Sequence, residues 1–321
     1  MRAPTEFIKI LTGRVLNMGA LNSVNEGFPI GEAWRRLILR IAYTETHGSG
    51  SGTIADAVYN CIKAITLKTS RGWVLYNNVP GRAFYVLDKM KLMTDPVYTV
   101  FAGASGTFYV YINLWFVDPM LARPEDTLLD TSLFNKIQLD ILMGGVVDFM
   151  TTIGTDTLTA TFDLYLERIR GLLPAKVKPK EYVEISCPAP VNPASATEIN
   201  LERADNKAYK RLIINACNAA IAGTPFSGTL SNNTILQAGV DTDKGELINK
   251  IPWLVLVSEF KTQYEMETAL VGWAGFDFTR DRSKMSALLS GVFSRLRIFW
   301  DNDTLSTSQV SAIVEALKQI A

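Results

Sequence analysis

The sequence predicts an all-β fold, with two tandem eight-stranded antiparallel jelly rolls, short inserted helices and a C-terminal helix. Short segments of alternating apolar residues recur along the chain between turn residues. Segments with helical spacing are few in the first half. The pattern stops at a Pro- and Lys-rich stretch and then restarts. We therefore predict an N-terminal jelly roll over residues 1–173, a linker over 174–181, and a C-terminal jelly roll with the terminal helix over 182–321.

Composition favours a densely packed protein. Apolar residues make up 48% of the 321 residues, which is enough for two cores. The 32 basic and 32 acidic residues balance, which argues against nucleic acid as a direct partner and suits packing against copies of the same chain. The three cysteines, Cys61, Cys187 and Cys217, are too few and scattered for a disulfide framework, so we predict free thiols and synthesis in a reducing cytoplasm.

No segment predicts membrane insertion. Lys9 and Arg14 interrupt the early apolar run, so we predict no signal peptide. No stretch approaches the roughly 20 apolar residues of a membrane span. We expect a soluble protein, or one that lies beside a membrane without crossing it.

The first half is predicted as strands around one helix. Residues Arg82–Met93 have helical spacing, and His47–Gly52 (HGSGSG) is predicted to be a flexible tip. The predicted strands are Thr5–Leu21, Ala33–Thr44, the second half of Ile54–Leu67, Gly72–Asn77, Thr107–Pro119, Phe134–Leu142 and Leu158–Ile169.

The strand Thr107–Pro119 (TFYVYINLWFVDP) is the most informative of these. One face is apolar and predicts sandwich core. The other face carries Tyr109, Tyr111 and Trp115, large rings with polar tips that cover another surface while keeping a hydrogen-bond partner. We therefore expect this strand to be buried on both sides, the second time by another domain or another subunit.

The second half repeats the strand-rich pattern. Lys244–Lys250 is predicted to be a helical turn and Ala219–Asn233 a long loop. Ser306–Ile320 is predicted to be an amphipathic helix, with Ser306 and Gln309 as a capping box. The predicted strands are Tyr182–Ser186, Glu198–Leu201, Tyr209–Cys217, Thr234–Val240, Trp253–Phe260, Ala269–Thr279 and Gly291–Trp300.

Catalytic and cofactor patterns are missing from the sequence. The single histidine, His47, lies in the glycine-rich tip, which cannot hold a general base rigidly. That tip also lacks the βαβ context of a phosphate-binding loop. Two acidic loops lack the spacing of known calcium sites; their residues are Glu125, Asp126, Asp130, Asp241, Asp243 and Glu246. We predict no catalytic residue, no cofactor and no metal site.

Three stretches carry a resemblance to a known family: Arg71–Met90, Phe108–Pro119 and Glu125–Leu142. With the two-sandwich layout, they make the chain resemble the double jelly-roll major capsid proteins of tailless icosahedral viruses with an internal membrane, lipid-containing bacteriophages among them. This family has no catalytic residues to carry over.

The resemblance implies a homotrimeric capsomer in which six jelly rolls form a pseudo-hexagon that tiles an icosahedral shell. It also implies neighbouring capsomers, minor capsid proteins and vertex proteins as partners, proximity to a viral internal membrane, and location in the virion. Tyr109, Tyr111 and Trp115 would then be subunit-interface anchors. The His47–Gly52 and Ala219–Asn233 segments would be outward loops that tolerate insertion.

Two other functions remain open from the sequence. A carbohydrate-binding or carbohydrate-cleaving β-sandwich protein would show an exposed aromatic platform beside two carboxylates and would stay monomeric. A trimeric viral spike module would form trimers without tiling a shell.

Overall fold

The computed structural model describes residues 5–54, 56–169, 181–218, 226, 228–283, 286–302 and 308–319. The chain divides into two compact units, residues 1–182 and 183–321. The predicted linker over 174–181 lies outside the described residues except for Glu181, which begins a strand.

The first unit is made of strands with two helices, α1 (Ala57–Asn60) and α2 (Gly81–Leu92). Short 3-10 turns lie at Pro124–Thr127, Thr131–Leu133 and Val146–Asp148. Its strands are β1 (Thr5–Leu16), β2 (Leu21–Val24), β3 (Ala33–Thr46), β4 (Ser51–Thr53), β5 (Ile62–Thr69), β6 (Val74–Val79), β7 (Gly106–Trp115), β8 (Leu129–Asp130), β9 (Ile137–Met143), β10 (Met150–Thr152) and β11 (Thr157–Ile169).

Two antiparallel sheets organise this unit. One has the strand order β1-β11-β3-β7, and β8 also pairs with β3. The other contains the order β6-β5-β9-β2. Strand β3 shows why the sheet forms: Leu37, Leu39 and Ile41 alternate with Arg36, Ile38 and Arg40, and only the first set is fully buried.

Helix α2 confirms the predicted helix. It begins after Pro80, whose fixed φ suits a helix entry, and ends at Met93, which adopts a left-handed conformation with φ +53°. Its buried side contains Ala83, Phe84 and Leu87 at helical spacing. The ambiguous segment Ile54–Leu67 divides into α1 and β5, so its second half is a strand as predicted.

The second unit has one longer helix, α3 (Trp253–Gln263), and a 3-10 turn at Ser290–Val292. Its strands are β12 (Glu181–Ser186, which crosses the boundary between units), β13 (Glu198–Asn200), β14 (Lys207–Asn218), β15 (Thr229–Leu230), β16 (Ile235–Thr242), β17 (Gly245–Pro252), β18 (Trp273–Asp277), β19 (Leu288–Leu289), β20 (Leu296–Asn302) and β21 (Gln309–Gln319).

The core of the second unit lies between two sheets. Strand β14 pairs with β21 on one side and with β15, β18 and β19 on the other, while the second sheet has the order β13-β20-β16-β17. Both sheets and α3 contribute to one apolar cluster, which includes Leu212, Ile214, Val240, Trp253, Ile298, Trp300, Val310 and Val314. The predicted all-β fold with short inserted helices is therefore confirmed.

The predicted C-terminal helix is wrong. Of the segment Ser306–Ile320, residues Gln309–Gln319 form β21, which pairs antiparallel with β14 from Gln309 to Lys318. Val310, Ala312 and Val314 belong to the core cluster, so the buried residues on that side alternate with period two. Ser306, half of the proposed capping box, lies outside the described residues. Pairing with a neighbouring strand outweighs the helix propensity of this Ala- and Leu-containing segment.

The predicted core strand Trp253–Phe260 is also wrong, because this segment lies in helix α3. Its buried residues are Trp253, Leu256, Val257 and Phe260, which follow the i, i+3, i+4, i+7 spacing of a helix. Leu254 and Val255 are exposed between them. The continuous apolar run at its start, Trp253–Val257, cannot be assigned to helix or strand from its period alone.

The predicted helical turn Lys244–Lys250 is a strand instead. From Gly245 onward it lies in β17, at the edge of its sheet, and a two-residue turn that contains Lys244 connects β17 to its partner β16. Gly245 closes that turn with φ +111°, a conformation that other residues rarely adopt. The mixed polar sequence of an edge strand gave no clear alternation.

Candidate assembly interface

The predicted interface residues lie on one side of the sheet β1-β11-β3-β7. We call this side the outer face; it is opposite the side of the sheet that carries the buried apolar residues. Register with β3 places Tyr109 opposite Ala42, Tyr111 opposite Arg40 and Trp115 opposite Arg36. The other side of β7 carries Phe108, Val110, Ile112 and Leu114, all buried, which agrees with the predicted core face.

The tyrosine end of the outer face is built around Arg40. Its guanidinium carbon lies 4.4 Å from the centre of the Tyr109 ring. Its Nη1 donates to Oδ2 of Asp163 on β11 at 2.9 Å. Burial raises the pKa of Asp163, but hydrogen bonds from the Gly13 amide and from Arg40 outweigh it and hold that pKa below its ordinary value. Tyr109 and Tyr111 remain half-buried in the single chain.

The tryptophan end of the outer face is covered by helix α2. Trp115 is only 8% exposed, and its Nε1 donates to Oδ1 of Asp88 at 3.0 Å. Asp88 also accepts the side-chain amide of Asn113 at 3.0 Å. The Arg36 guanidinium lies 4.6 Å from the Trp115 ring. The surface that covers Trp115 therefore includes α2 and Arg36 of the same unit, where the sequence led us to expect another domain or another subunit.

Asp88 is the functional residue that sequence reasoning missed. It is fully buried on α2, and desolvation raises its pKa to about 6 although hydrogen bonds from Asn113 and Trp115 lower it. A signal was present: Asp88 lies four residues after Phe84, so the two side chains share one side of the predicted helix. A carboxylate at such a position needs hydrogen-bond donors, and the polar tips on β7 provide them.

The edge of the outer face is apolar and open. Phe7 on β1 is 57% exposed, and the Arg36 guanidinium lies 5.6 Å from its ring.

The charged residues of the outer face are paired with one another. Lys9 lies 3.4 Å from Asp163 and 5.4 Å from the centre of the Tyr165 ring. Arg35 and Arg36 both pair with Glu167. The outer face thus carries aromatic rings and arginines, which are enriched at protein–protein contacts, and its carboxylates are paired with those arginines.

Acidic side chains of the two loops have partners within the same chain. Asp130 accepts hydrogen bonds from the amide and hydroxyl of Ser132, and Glu125 lies 3.7 Å from Arg35. In the second loop, Asp241 pairs with Arg295 and Arg297. These acids pair with cations or stabilise turns in the part of the chain that the structure describes.

The glycine-rich segment His47–Gly52 is not the free tip that the sequence predicted. Strand β4 pairs with β10 inside it, and the amides of Gly48 and Gly50 donate to Asp156 at 2.7 and 2.9 Å. A Cβ added at Gly48 or Gly50 would overlap Thr155 or Asp156. The absence of a side chain at Gly48 and Gly50 therefore lets this segment pack closely against Thr155 and Asp156. The other predicted outward loop, Ala219–Asn233, is only partly described: residues 219–225 and 227 lie outside the described residues, and Thr229–Leu230 forms β15.

Solved structures with a similar fold include viral capsid proteins. The STIV MCP, from Sulfolobus Turreted Icosahedral Virus, matches with a TM-score of 0.71 at 16% identity, covering 98% of this chain and 97% of that one. The major capsid protein P2 from bacteriophage PM2 matches with a TM-score of 0.63 at 14% identity, covering 99% and 98%. The Faustovirus major capsid protein matches with a TM-score of 0.63 at 7% identity, covering 100% and 91%.

The predicted resemblance is therefore confirmed at the level of the fold, which is that of double jelly-roll major capsid proteins. No protein-family model matches the sequence, and no curated protein matches it. None of the helices among the described residues has the length and apolarity of a membrane-spanning segment.

Proposed function

We propose that this chain is a major capsid protein, a structural subunit that packs with its own copies into an icosahedral shell. The observation that carries the proposal is that the likeness to viral capsid proteins extends over both units and almost the full length of both chains. A fold shared over one unit alone would leave the function open, because single β-sandwiches host many activities.

The proposed assembly unit is a homotrimer whose six jelly rolls form a pseudo-hexagonal capsomer. Neighbouring capsomers, minor capsid proteins and vertex proteins are the proposed partners in the virion, and a viral internal membrane would lie close to one side of the shell. The balanced charge of the chain supports packing against copies and gives no basis for direct nucleic-acid binding. Synthesis takes place in the host cytoplasm, in keeping with three free cysteines.

Tyr109, Tyr111 and Trp115 are proposed to act at the subunit contact in two different ways. Tyr109 and Tyr111 are half-buried and present ring surface to a neighbour, so they would be the contacting residues. Trp115 is almost fully covered by α2 and would hold the outer face in shape. Exposed Phe7 would extend the contact toward β1.

A carbohydrate-cleaving function finds less support in the geometry. The carboxylates near the exposed rings of the outer face are Asp163 and Glu167, and both are paired with arginines. A glycosidase needs one protonated carboxyl and one free carboxylate flanking its substrate. Both carboxylates are therefore already occupied by arginine contacts.

The solution mass of the purified protein tests the proposal. Light scattering on a size-exclusion column should give about three times the 35.5 kDa chain mass. A protein that stays at the chain mass up to high concentration would contradict the capsomer, and glycan screening would then test the carbohydrate alternative. A trimer that never forms ordered arrays at high concentration would instead support the spike module.

A further inference from the structure

Three side chains with metal-binding atoms meet at one end of the first unit: Glu45, His47 and Asp156. The antiparallel register between β3 and β11 brings them together. Thr46 pairs with Thr157, so the next residue along β3 and the residue before β11 lie opposite each other. Nδ1 of His47 is 3.0 Å from Oδ1 of Asp156 and 3.7 Å from Oε1 of Glu45.

Glu45 is the residue that points to a ligand. Its side chain is 1% exposed, and neither carboxylate oxygen accepts a hydrogen bond among the described residues. Burying a carboxylate without donors is costly unless a cation or a proton compensates. Burial raises the pKa of Glu45, the neighbouring His47 lowers it, and the Asp156 carboxylate raises it.

Asp156 is held in place as a second anionic group. Its side chain is fully buried, and its two oxygens accept the amides of Gly48, Gly50 and Gly154 at 2.7, 2.9 and 3.0 Å. These hydrogen bonds lower the pKa of Asp156 below its ordinary value, and the bond from the Gly48 amide contributes most. Oδ1 also faces the imidazole of His47. The glycines that the sequence placed in a flexible tip thus fix a carboxylate beside Glu45.

We propose that Glu45, His47 and Asp156 bind a divalent transition-metal ion of the zinc type. One imidazole nitrogen and two carboxylate oxygens are a ligand set that Zn²⁺ accepts, with a water as the fourth ligand. Ligand atoms at about 2.1 Å from a tetrahedral ion lie about 3.4 Å from each other, close to the two separations that Nδ1 makes here. Calcium fits less well because it prefers six or more oxygen ligands.

The geometry also allows entry and gives the ion a role. His47 is 32% exposed on its side chain, so an ion reaches the buried carboxylates past the imidazole. A bound ion ties the end of β3 to the segment before β11, next to the short β4–β10 pair. The site therefore stiffens the loops at this end of the first unit, whatever the state of assembly.

The first test uses the fact that the chain has a single histidine. In protein labelled with ¹⁵N-histidine, every imidazole signal comes from His47, so a Zn²⁺ titration reports directly on this site. The expected result is saturation at one ion per chain, with a shift of the Nδ1 resonance. Imidazole signals that do not move at tenfold excess Zn²⁺ would overturn the proposal, as would Nε2 shifting alone.

The second test is thermal unfolding in EDTA and in Zn²⁺. Zinc at about 100 times its Kd should raise the Tm of the unmodified protein by roughly 5 °C. Glu45→Gln should abolish this rise. In EDTA its Tm should equal or exceed that of the unmodified protein, because the glutamate accepts no hydrogen bond that would be lost. His47→Gln, at an exposed position, provides a second variant that should also remove the rise.

Two control variants separate this site from other zinc ligands. Cys187→Ser removes a free thiol, and Glu125→Gln removes an acid from another loop of the same unit. Both should keep the full zinc response. An equal Tm rise in Glu45→Gln and in the unmodified protein would overturn the assignment, and so would a rise with Ca²⁺ that leaves the imidazole signals unchanged.

Discussion

Strand β7 is buried on both sides only in its second half and β21 over most of its length, and their sequences signal the strand conformation very differently. Strand β7 alternates apolar and aromatic residues. Residues of these types favour the strand conformation by themselves, and they also suit the surroundings in which β7 lies. Strand β21 (QVSAIVEALKQ) contains Ala, Glu, Leu, Lys and Gln, which favour helices. The strand conformation of β21 therefore depends on its long-range partner β14, whereas that of β7 is already encoded locally.

The polar groups of the two strands show the same contrast. On β7, the buried tips of Asn113 and Trp115 point to one carboxylate on a neighbouring helix. On β21, Glu315 lies in a cross-strand row with Arg211 on β14 and Asp277 on β18, in register across three strands. Arg211 donates to Glu315 at 2.7 Å and to Asp277 at 2.9 Å. The local sequence of β21 does not determine its register. The cross-strand row of Glu315, Arg211 and Asp277 does.

The largest effect should come from breaking this row. Glu315→Ala leaves the guanidinium of Arg211 buried with one anionic partner fewer, so the free energy of unfolding of the second unit should fall by about 3–5 kcal/mol. Urea unfolding measures this loss. The control is Glu259→Ala, whose partner Arg280 is exposed and whose loss should stay within about 1 kcal/mol. A loss below 1 kcal/mol for Glu315→Ala would contradict the role of the row.

A matched pair on α3 tests the helix that replaces the predicted strand. In a strand, positions 254 and 256 would share one face and respond alike. In the helix, Leu256 is buried and Leu254 is exposed. Leu256→Lys should therefore cost about 3 kcal/mol, and Leu254→Lys should change stability by less than about 0.5 kcal/mol. Thermal unfolding of both variants decides between the two conformations.

The Asp88 carboxylate beneath β7 should make stability depend on pH. Its pKa is about 6 when folded and about 3.8 when unfolded, so ionisation costs the folded state more. Its contribution to stability is therefore greatest below pH 4, falls as pH rises to about 6, and is constant above 7. Asp88→Asn should be about 1–2 kcal/mol less stable at pH 7, and this difference should widen toward pH 4.5.

Urea unfolding of both proteins across this range gives the difference directly, and contributions from the other titrating groups cancel in it. A difference that stays constant between pH 4.5 and 7 would contradict the buried carboxylate.

Substitution of Tyr111 should have the smallest effect on the stability of the chain and the largest effect on its association into trimers. Tyr111→Ala removes a half-buried ring, so the Tm of the chain should change little while trimer association weakens about tenfold. Trp115→Ala should lower the Tm, because Asp88 loses a donor and α2 loses packing. Light scattering at several concentrations and thermal unfolding separate the two. A Trp115→Ala trimer of unchanged thermal stability would contradict any role for Trp115.

Sequence reasoning succeeded where local pattern and final environment agree. Strand β7 and helix α2 are examples, because their apolar periods of two and 3.6 match the faces that become buried. It failed for β21 and α3, where a mixed or continuous apolar run fits either conformation and the partner strand decides. The partner of Trp115 could be anticipated as a surface but not identified, since Asp88 reaches it through tertiary packing.

The glycine-rich segment shows the same limit at a candidate site. His47 and Asp156 are 109 positions apart in sequence, and only the β3–β11 register brings them together. Composition alone predicted a mobile tip there. Chemistry that depends on long-range pairing therefore stays hidden in a single sequence.

The central claim is that this chain is the repeating unit of a shell, and electron microscopy of the purified oligomer tests it most directly. Averaged views along the symmetry axis should show three chains arranged as six lobes of similar size in a near-hexagonal outline. Three elongated lobes around a narrow stalk, or a single two-lobed particle, would contradict it.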